Sequence, residues 1–175
     1  MKRISFTEID DWEQFEELVA EFFRETKHLE DNNLTEIKVD PTGKGPDGGR
    51  DILLNFRIND SISPFERRWV VQCKFYDSLK KSDLDKVNIP TLIEEYDADG
   101  YLLICKNSIT AGVTNTFENL RSKCRRKYMY EVWNGSAFIQ KLYKTTNLQE
   151  HYFPQFFEYK NKRAEKVDLK KIFSE

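Results

Sequence analysis

The sequence has few of the side chains that build zinc or disulfide sites. Its 175 residues contain three cysteines and two histidines, and no Cys-x-x-Cys pair occurs. A Cys/His zinc site is therefore not expected, because such sites need several sulfur or nitrogen ligands at short spacings. The odd set of Cys73, Cys105 and Cys124 instead indicates reduced thiols, two of them in apolar runs, so we expect a cytoplasmic protein.

Long apolar runs are missing as well. No stretch approaches the roughly 20 apolar residues that a membrane-spanning helix requires, and residues 1–5 lack the apolar segment of a secretory signal. Internal repeats, low-complexity tracts and a helix-turn-helix pattern are also absent. With 39% hydrophobic and 33% charged residues, the chain is expected to form a soluble, globular domain without a membrane partner.

The net charge of −2 hides an uneven distribution of charge along the chain. Residues 1–100 hold 14 basic and 23 acidic side chains, a net charge of −9, whereas residues 101–175 hold 14 and 7, a net charge of +7. An acidic half suits metal binding and a basic half suits phosphate binding, although ordinary surface variation gives the same asymmetry. The pattern is compatible with a protein that acts on nucleic acid.

Two short motifs stand out in the acidic half. The glycine-rich segment 47–51, DGGRD, leads into an apolar run, and QCK at 72–74 lies within a second apolar run. Side chains alternate across a strand, so Gln72 and Lys74 share one face. If the two runs pair as a hairpin, an acid, an amide oxygen and an ammonium group converge in a small metal site. Phosphodiester hydrolysis needs such groups together.

An amphipathic helix precedes these motifs, from about residue 8 to 26, with a capping box offered by Thr7 and Asp10. At about 100° per residue, Glu16 lies at the edge of the apolar arc, whereas Glu17 points away from it. Glu16 can therefore reach a site at the core boundary, and the alternative is an ordinary solvated residue. The expected buried arc consists of Trp12, Phe15, Leu18, Val19, Phe22 and Phe23.

The other predicted elements give an α/β fold with the order αβββαβαβ, a mixed β-sheet flanked by helices. Pro90 interrupts the segment 82–96, so either a short turn precedes a helix that starts at Pro90, or one helix kinks there. The strand–helix–strand run from 101 to 133 implies a parallel crossover. Strands are predicted at about 34–39, 51–58, 69–75, 100–105 and 128–133, a polar loop at 59–68, and helices at 110–123 and 136–143.

The composition of the sequence changes after residue 145. An aromatic segment at 151–157 is followed by a charged segment that carries apolar residues at helical spacing. We expect residues 1–145 to form the main domain and residues 146–175 a C-terminal extension. Three roles for the extension stay open, namely docking on the core, a dimer surface, and a link to a further domain.

The basic half contains one dense cluster of cations beside two tyrosines. Lysine and arginine contact phosphates, and neighbouring aromatic rings stack on bases. The alternative is a solvated helix end, where cations are favoured by the dipole. The loop after the 100–105 strand is a second candidate for contacts with nucleic acid, because loops at strand ends often line sites. The candidate residues are Arg121, Lys123, Arg125, Arg126 and Lys127 in the cluster, and Lys106 and Ser108 in the loop.

These features resemble the Mrr-like restriction endonucleases of the PD-(D/E)XK nuclease superfamily, whose pattern runs Asp, spacer, Gln-x-Lys. The resemblance covers about residues 11–135 and rests on Phe15-Glu16, on the turn at 47–51 and on VQCK at 71–74. It implies a restriction-endonuclease-like core and a Mg²⁺-dependent DNA endonuclease that leaves 5′-phosphate and 3′-hydroxyl ends, with Mn²⁺ able to substitute. It also implies prokaryotic antiphage defence, as a homodimer or fused to a sensor or NTPase domain.

Within that pattern Asp51 matches the main metal ligand. Gln72 supplies a neutral oxygen where many members of the superfamily have an acid, which weakens metal binding unless Glu16 or Asp47 contributes. Asp47 follows Pro46 as a literal Pro-Asp, but it more plausibly caps the turn or binds the metal through water. Asp51 is therefore preferred over Asp47.

The remaining two positions of the motif have separate roles. The backbone carbonyl of Cys73 is a further candidate ligand, and Lys74 would steady the charge that develops on phosphorus. Two alternative functions stay open, a non-catalytic nucleic-acid-binding or scaffolding module on the same fold, and a nuclease acting on RNA or DNA junctions. The intact Asp51, Gln72 and Lys74 argue against the first alternative, and the sequence does not separate the second from DNA cleavage.

Overall fold

A computed structural model describes the chain over residues 2–28, 33–41, 50–59, 62–124 and 128–172, with side chains described as far as residue 164. Short 3-10 turns lie at Phe6–Glu8 and Lys81–Asp83. The strands are β1 Leu34–Pro41, β2 Ile52–Asn59, β3 Pro64–Lys74, β4 Ser78–Leu79, β5 Gly100–Cys105, β6 Ser108–Ile109 and β7 Met129–Trp133. The helices are α1 Trp12–Thr26, α2 Ile89–Glu95, α3 Ala111–Lys123, α4 Gly135–Leu142, α5 Thr146–Tyr152 and α6 Pro154–Ile172.

Five strands form one mixed sheet in the order β1-β2-β3-β5-β7. β1, β2 and β3 are antiparallel neighbours, whereas β5 runs parallel to β3, and β7 runs parallel to β5. The two parallel connections pass through α2 and α3, as crossovers between parallel strands require. β4 and β6 form a separate short parallel pair. This mixed sheet flanked by helices confirms the predicted fold class.

Helices cover both faces of the sheet because its central strands are apolar on both sides. β5 is buried along its whole length. On one face, Val71 and Ile104 belong to the core that includes Phe15 of α1 and residues of α4, α5 and α6. On the other face, Val70 and Leu103 pack in a second core with residues of α2 and α3. The C-terminal end of β3 is therefore held between two packed layers.

Part of the C-terminal extension shares the first of these cores. Leu148 and Tyr152 of α5 and Phe156 of α6 are buried in the same cluster as Phe15. This segment packs on the main domain, whereas a dimer surface and a link to a further domain stay predictions. None of the helices in the described residues has the length and apolar character needed to cross a bilayer.

The start of α1 differs from the expected one. Residue 8 belongs to the preceding 3-10 turn, and α1 begins at Trp12 with Asp11 as its cap, whose carboxylate accepts a hydrogen bond from the N–H of Gln14 at 2.8 Å. The amide oxygen of Gln14 in turn accepts from the N–H of Asp10 at 2.7 Å. Trp12 lies in the first turn and is 50% exposed, so its expected burial was wrong.

Two further segments show where the local pattern misled and where it was correct. β3 begins at Pro64, so the second half of the expected 59–68 loop is in fact strand, paired with the end of β2. Its polar side chains are tolerated because most of them are exposed. Before α2, the 3-10 turn and the cap residue Asn88 confirm the alternative in which a short turn precedes a helix with Pro90 in its first turn.

Candidate functional site

The hairpin of β2 and β3 brings Asp51 beside the QCK segment. Ile52 pairs with Val71, and the N–H of Asp51 donates to the carbonyl of Val71 at 3.0 Å. The carboxylate of Asp51 accepts a hydrogen bond from the backbone N–H of Cys73, with 2.5 Å between Oδ2 and N. A carboxylate offers about four lone-pair directions, so this hydrogen bond does not by itself prevent Asp51 from binding a cation. Asp51 is thus anchored at the end of β3, next to Gln72.

The backbone of Cys73 points towards Asp51. In a strand, the N–H and C=O of one residue face the same side. Because the N–H of Cys73 reaches Asp51, the carbonyl oxygen of Cys73 also lies on the β2 side, beyond the first residue of β2. Its side chain is buried in the first core, and burial raises the pKa of the Cys73 thiol well above its ordinary value. The carbonyl oxygen, and not the sulfur, is therefore the candidate ligand.

Gln72 is nearly inaccessible to solvent, with 2% of its surface exposed. Its amide oxygen Oε1 accepts a hydrogen bond from the hydroxyl of Tyr101 on the neighbouring strand β5, at 2.6 Å. Oε1 has a second lone pair, so this arrangement is compatible with Gln72 as a neutral oxygen ligand, and that role stays a prediction. Tyr101 was missed by the sequence analysis. The one available signal was a single hydroxyl within an otherwise apolar buried strand.

Helix α1 places Glu16 at the same end of the sheet. Glu16 is partly buried and Glu17 is exposed, as the helical arc indicated. Burial, and then the negative charge of Asp51, raise the pKa of Glu16 to about 7, and the positive charge of Lys74 acts in the opposite direction. These electrostatic effects place Glu16, Asp51 and Lys74 near one another. Glu16 and Asp51 also line a cavity of about 400 Å³ between α1 and the start of β2.

The donor atoms at this place fit a hard divalent cation. Within the described ranges, no group of three or more His, Cys, Asp or Glu side chains is positioned to hold a metal ion. Two of the four candidate donors, however, are amide oxygens, from the side chain of Gln72 and the backbone of Cys73. Together with the carboxylates of Asp51 and Glu16 they form an all-oxygen set, which Mg²⁺ prefers. The pKa of Glu16 is raised first by burial and then by the charge of Asp51, and a cation there would offset the second effect.

The expected basic cluster lies away from this place. Nε of Arg121 donates to the carbonyl of Tyr130 at 2.6 Å, and its guanidinium pairs with Glu131 at 3.5 Å. Tyr130 aligns with the start of β5, whereas Lys74 aligns with the end of β5, four residues or about 13 Å along the strand. The structure does not bring Arg121 or the exposed Lys123 to Asp51. Asp47, Arg125, Arg126 and Lys127 lie outside the described residues.

The loop after β5, in contrast, lies beside the motif. The N–H of Lys106 donates to the carbonyl of Lys74 at 2.9 Å. The ammonium of Lys106 lies 4.1 Å from the centre of the Phe75 ring and 3.4 Å from a carboxylate oxygen of Asp77. The hydroxyl of Ser108 donates to the carbonyl of Asp77 at 2.8 Å. The backbone of Lys106 is therefore bonded to Lys74, whereas the side chains of Lys106 and Ser108 contact Phe75 and Asp77. Their contact with nucleic acid stays a prediction.

The raised pKa of Glu16 predicts a pH-dependent effect of Glu16→Gln on stability. A carboxyl whose pKa rises on folding makes the protein less stable as pH increases from about 4.5 to about 7. Without divalent ions at pH 8, Glu16→Gln should therefore raise the free energy of unfolding by about 1 kcal/mol, allowing for solvent screening of a partly exposed group. Thermal melts should show an increase of about 2–4 °C at pH 8 and almost none at pH 4.5.

The matched control for this prediction is Glu17→Gln, at the neighbouring exposed position of the same helix turn. Glu17→Gln should leave the difference in stability between pH 8 and pH 4.5 the same as in the wild type. An equal stabilisation by both variants at pH 8 would contradict the assignment, because it would point to the total charge of α1 and not to the surroundings of Glu16.

Two solved structures are similar to this chain at low sequence identity. No curated protein matches the chain. The DNA modification-dependent restriction endonuclease AspBHI is 14% identical, with a TM-score of 0.45, over 81% of this chain and 38% of AspBHI. The MspJI restriction endonuclease in complex with a 27-mer oligonucleotide is 10% identical, with a TM-score of 0.51, over 75% of this chain and 28% of MspJI. The chain thus spans well under half of either protein.

At this identity the likeness to MspJI supports the fold. The sequence itself carries the family assignment, since the model of the Mrr_cat family, described as a restriction endonuclease, matches residues 8–142. That range includes Glu16, Asp51, Gln72 and Lys74, the four side chains that the fold gathers at one end of the sheet. The chain belongs to the Mrr_cat restriction endonuclease family.

Proposed function

We propose that this chain is the catalytic domain of a metal-dependent endonuclease that hydrolyses phosphodiester bonds of double-stranded DNA. The observation that carries the proposal is the convergence of Asp51, Gln72 and Lys74 with Glu16 at the end of β3. Membership of a restriction endonuclease family supports a DNA nuclease. Mg²⁺ is the proposed cation because the candidate donors are all oxygens, and Mn²⁺ would substitute.

Each side chain has a distinct part in the proposed reaction. A divalent cation bound there would polarise a phosphoryl oxygen and lower the pKa of water. The carboxylate of Asp51 and the amide oxygen of Gln72 hold and orient the cation. The ammonium of Lys74 supplies a fixed positive charge where negative charge develops on the phosphate. The carboxylate of Glu16, whose pKa is raised to about 7 by burial and by Asp51, would contribute a further oxygen ligand to the cation.

The biological setting is proposed from the family alone. Restriction endonucleases cut foreign DNA, so we propose a cytoplasmic role in prokaryotic antiphage defence. A single site at the end of one sheet cuts one strand, and cleavage of both strands therefore calls for a second copy of the chain or for two successive cuts. Target choice would come from a fused sensor or NTPase domain or from a separate partner.

The experiment that tests the proposal is cleavage of supercoiled plasmid at high protein concentration. Nicked or linear plasmid should form with Mg²⁺ or Mn²⁺ and not with EDTA. Single-stranded RNA and a four-way DNA junction, incubated in parallel, distinguish the related nuclease activities. Folded protein that binds DNA and cleaves none of these substrates with either ion would contradict the proposal and favour a binding module.

A further inference from the structure

The hydroxyl of Tyr101 is a buried polar group that the proposed reaction does not yet use. Tyr101 lies in the central strand β5 with none of its surface exposed, among the apolar residues of the second core. Its ring packs near Phe117, with 6.2 Å between the ring centres. Burial of a hydroxyl among apolar side chains is unfavourable unless the hydroxyl forms a hydrogen bond. The bond to Oε1 of Gln72, at 2.6 Å, meets that requirement.

The chemistry of an amide explains why this bond matters at position 72. A carboxylate presents an oxygen in whichever way its end group is rotated. An amide presents an oxygen in one orientation and an NH₂ group in the other, and the NH₂ group repels a cation. A glutamine that binds a cation therefore needs a neighbour that fixes its orientation. The hydroxyl of Tyr101 occupies one lone pair of Oε1 and leaves the other lone pair for a ligand bond.

Resting on the proposed function, we propose that Tyr101 is a positioning residue that orients the amide oxygen of Gln72 towards the cation. Its position is fixed by the strand alignment, since Tyr101 pairs with Val70, two residues before Gln72 on the same face of β3. Residues that orient metal ligands typically change metal affinity by about 10–100-fold when they are replaced. Tyr101→Phe removes one oxygen atom and keeps the ring that packs in the core.

Mn²⁺ affinity of the intact chain, measured by electron paramagnetic resonance without DNA, tests this role. Tyr101→Phe should weaken Mn²⁺ binding by about tenfold or more. The matched control is Tyr130→Phe, which removes a hydroxyl from another buried tyrosine that pairs with Tyr101 on the adjacent strand. Tyr130→Phe should leave the Mn²⁺ affinity within about twofold of the wild type, since its hydroxyl does not orient a ligand.

The same substitution in a Gln72→Glu variant distinguishes loss of ligand orientation from general damage to the core. In the Gln72→Glu variant, either carboxylate oxygen can face the cation, so adding Tyr101→Phe should change the Mn²⁺ affinity by less than about threefold. Equal losses on adding Tyr101→Phe to the wild type and to the Gln72→Glu variant would overturn the inference, because they would show an indirect structural effect. Unchanged affinity of Tyr101→Phe would overturn it as well.

The same titration distinguishes this inference from the proposed function. Mn²⁺ binding that is lost in Asp51→Asn but kept in Tyr101→Phe would overturn the role of Tyr101 and leave the metal site in place. Absence of Mn²⁺ binding in the wild type would contradict the proposed function and the role of Tyr101 together. Thermal melts of each variant establish that the compared proteins are folded.

Discussion

Replacement of Lys74 by alanine should reduce the rate of plasmid cleavage by about 10²–10³-fold, with no comparable loss of stability. Lys74 is the last residue of β3 and is only partly buried, so the truncation leaves no large cavity. Its charge lies close enough to Glu16 to lower the pKa of that carboxyl. In the proposed reaction, loss of the ammonium removes the positive charge beside the reacting phosphate. Arginine at this position would restore that charge only in part, because the guanidinium differs in shape from an ammonium.

The control for Lys74→Ala is Lys86→Ala, which removes the same charge from an exposed position before α2. Initial rates should be measured with saturating Mg²⁺ and plasmid, so that weaker DNA binding is separated from slower chemistry. Lys74→Ala with a rate within about threefold of the Lys86→Ala rate would contradict the assignment of Lys74. In that case Lys106, which lies beside it, would be the next candidate cation.

Gly135→Ala should produce a large loss of stability, about 3 kcal/mol or a decrease of roughly 6–12 °C in Tm. Gly135 is buried at the first position of α4, where its N–H donates to the carbonyl of Asn107 at 2.7 Å. A methyl group there would overlap the carbonyl oxygen of Lys106 and would lie 3.0 Å from the Cα of Asn107. These neighbours are backbone atoms, so the overlap requires the loop after β5 to move.

Gly112→Ala is the matched control for this prediction. Its added methyl group would lie 3.3 Å from Cβ of Lys81, an atom of a side chain that can adjust. Because Gly112 lies within α3, alanine also favours the helix by up to about 1 kcal/mol. Thermal and urea unfolding should therefore separate the two variants clearly. Equal stability of Gly135→Ala and the wild type would show that the loop after β5 is free to shift.

A movement of that loop also has a predicted effect on the candidate site. The N–H of Lys106 is bonded to the carbonyl of Lys74, so displacement of Lys106 pulls on the last residue of β3. The Gly135→Ala protein, studied at a temperature where it is folded, should therefore show reduced cleavage in addition to reduced stability.

The parts of the site that the sequence predicted depend on regular local periodicity. Alternation along a strand put Gln72 and Lys74 on one face, and the helical arc separated Glu16 from Glu17. The placement of Asp51 beside β3 followed from the pairing of two successive apolar runs as a hairpin. All three inferences use spacing within a single element or a single hairpin.

The parts that failed depend on contacts between distant segments. The start of α1 shifted because Phe6 is buried in the first core as a separate turn before the helix. Tyr101 was hidden because an apolar run reveals burial and does not reveal which atom a buried hydroxyl meets.

The packing of α5 and α6 shows that the folded core extends beyond the end of the family match. The family match ends at residue 142, yet Leu148, Tyr152 and Phe153 are buried in the core that holds α1 and its Glu16. A fragment cut at residue 142 would keep every motif of the family and expose the apolar surface that these three side chains cover. For this protein, the segment that matches the family is shorter than the segment that is needed to keep α1, and with it Glu16, in place.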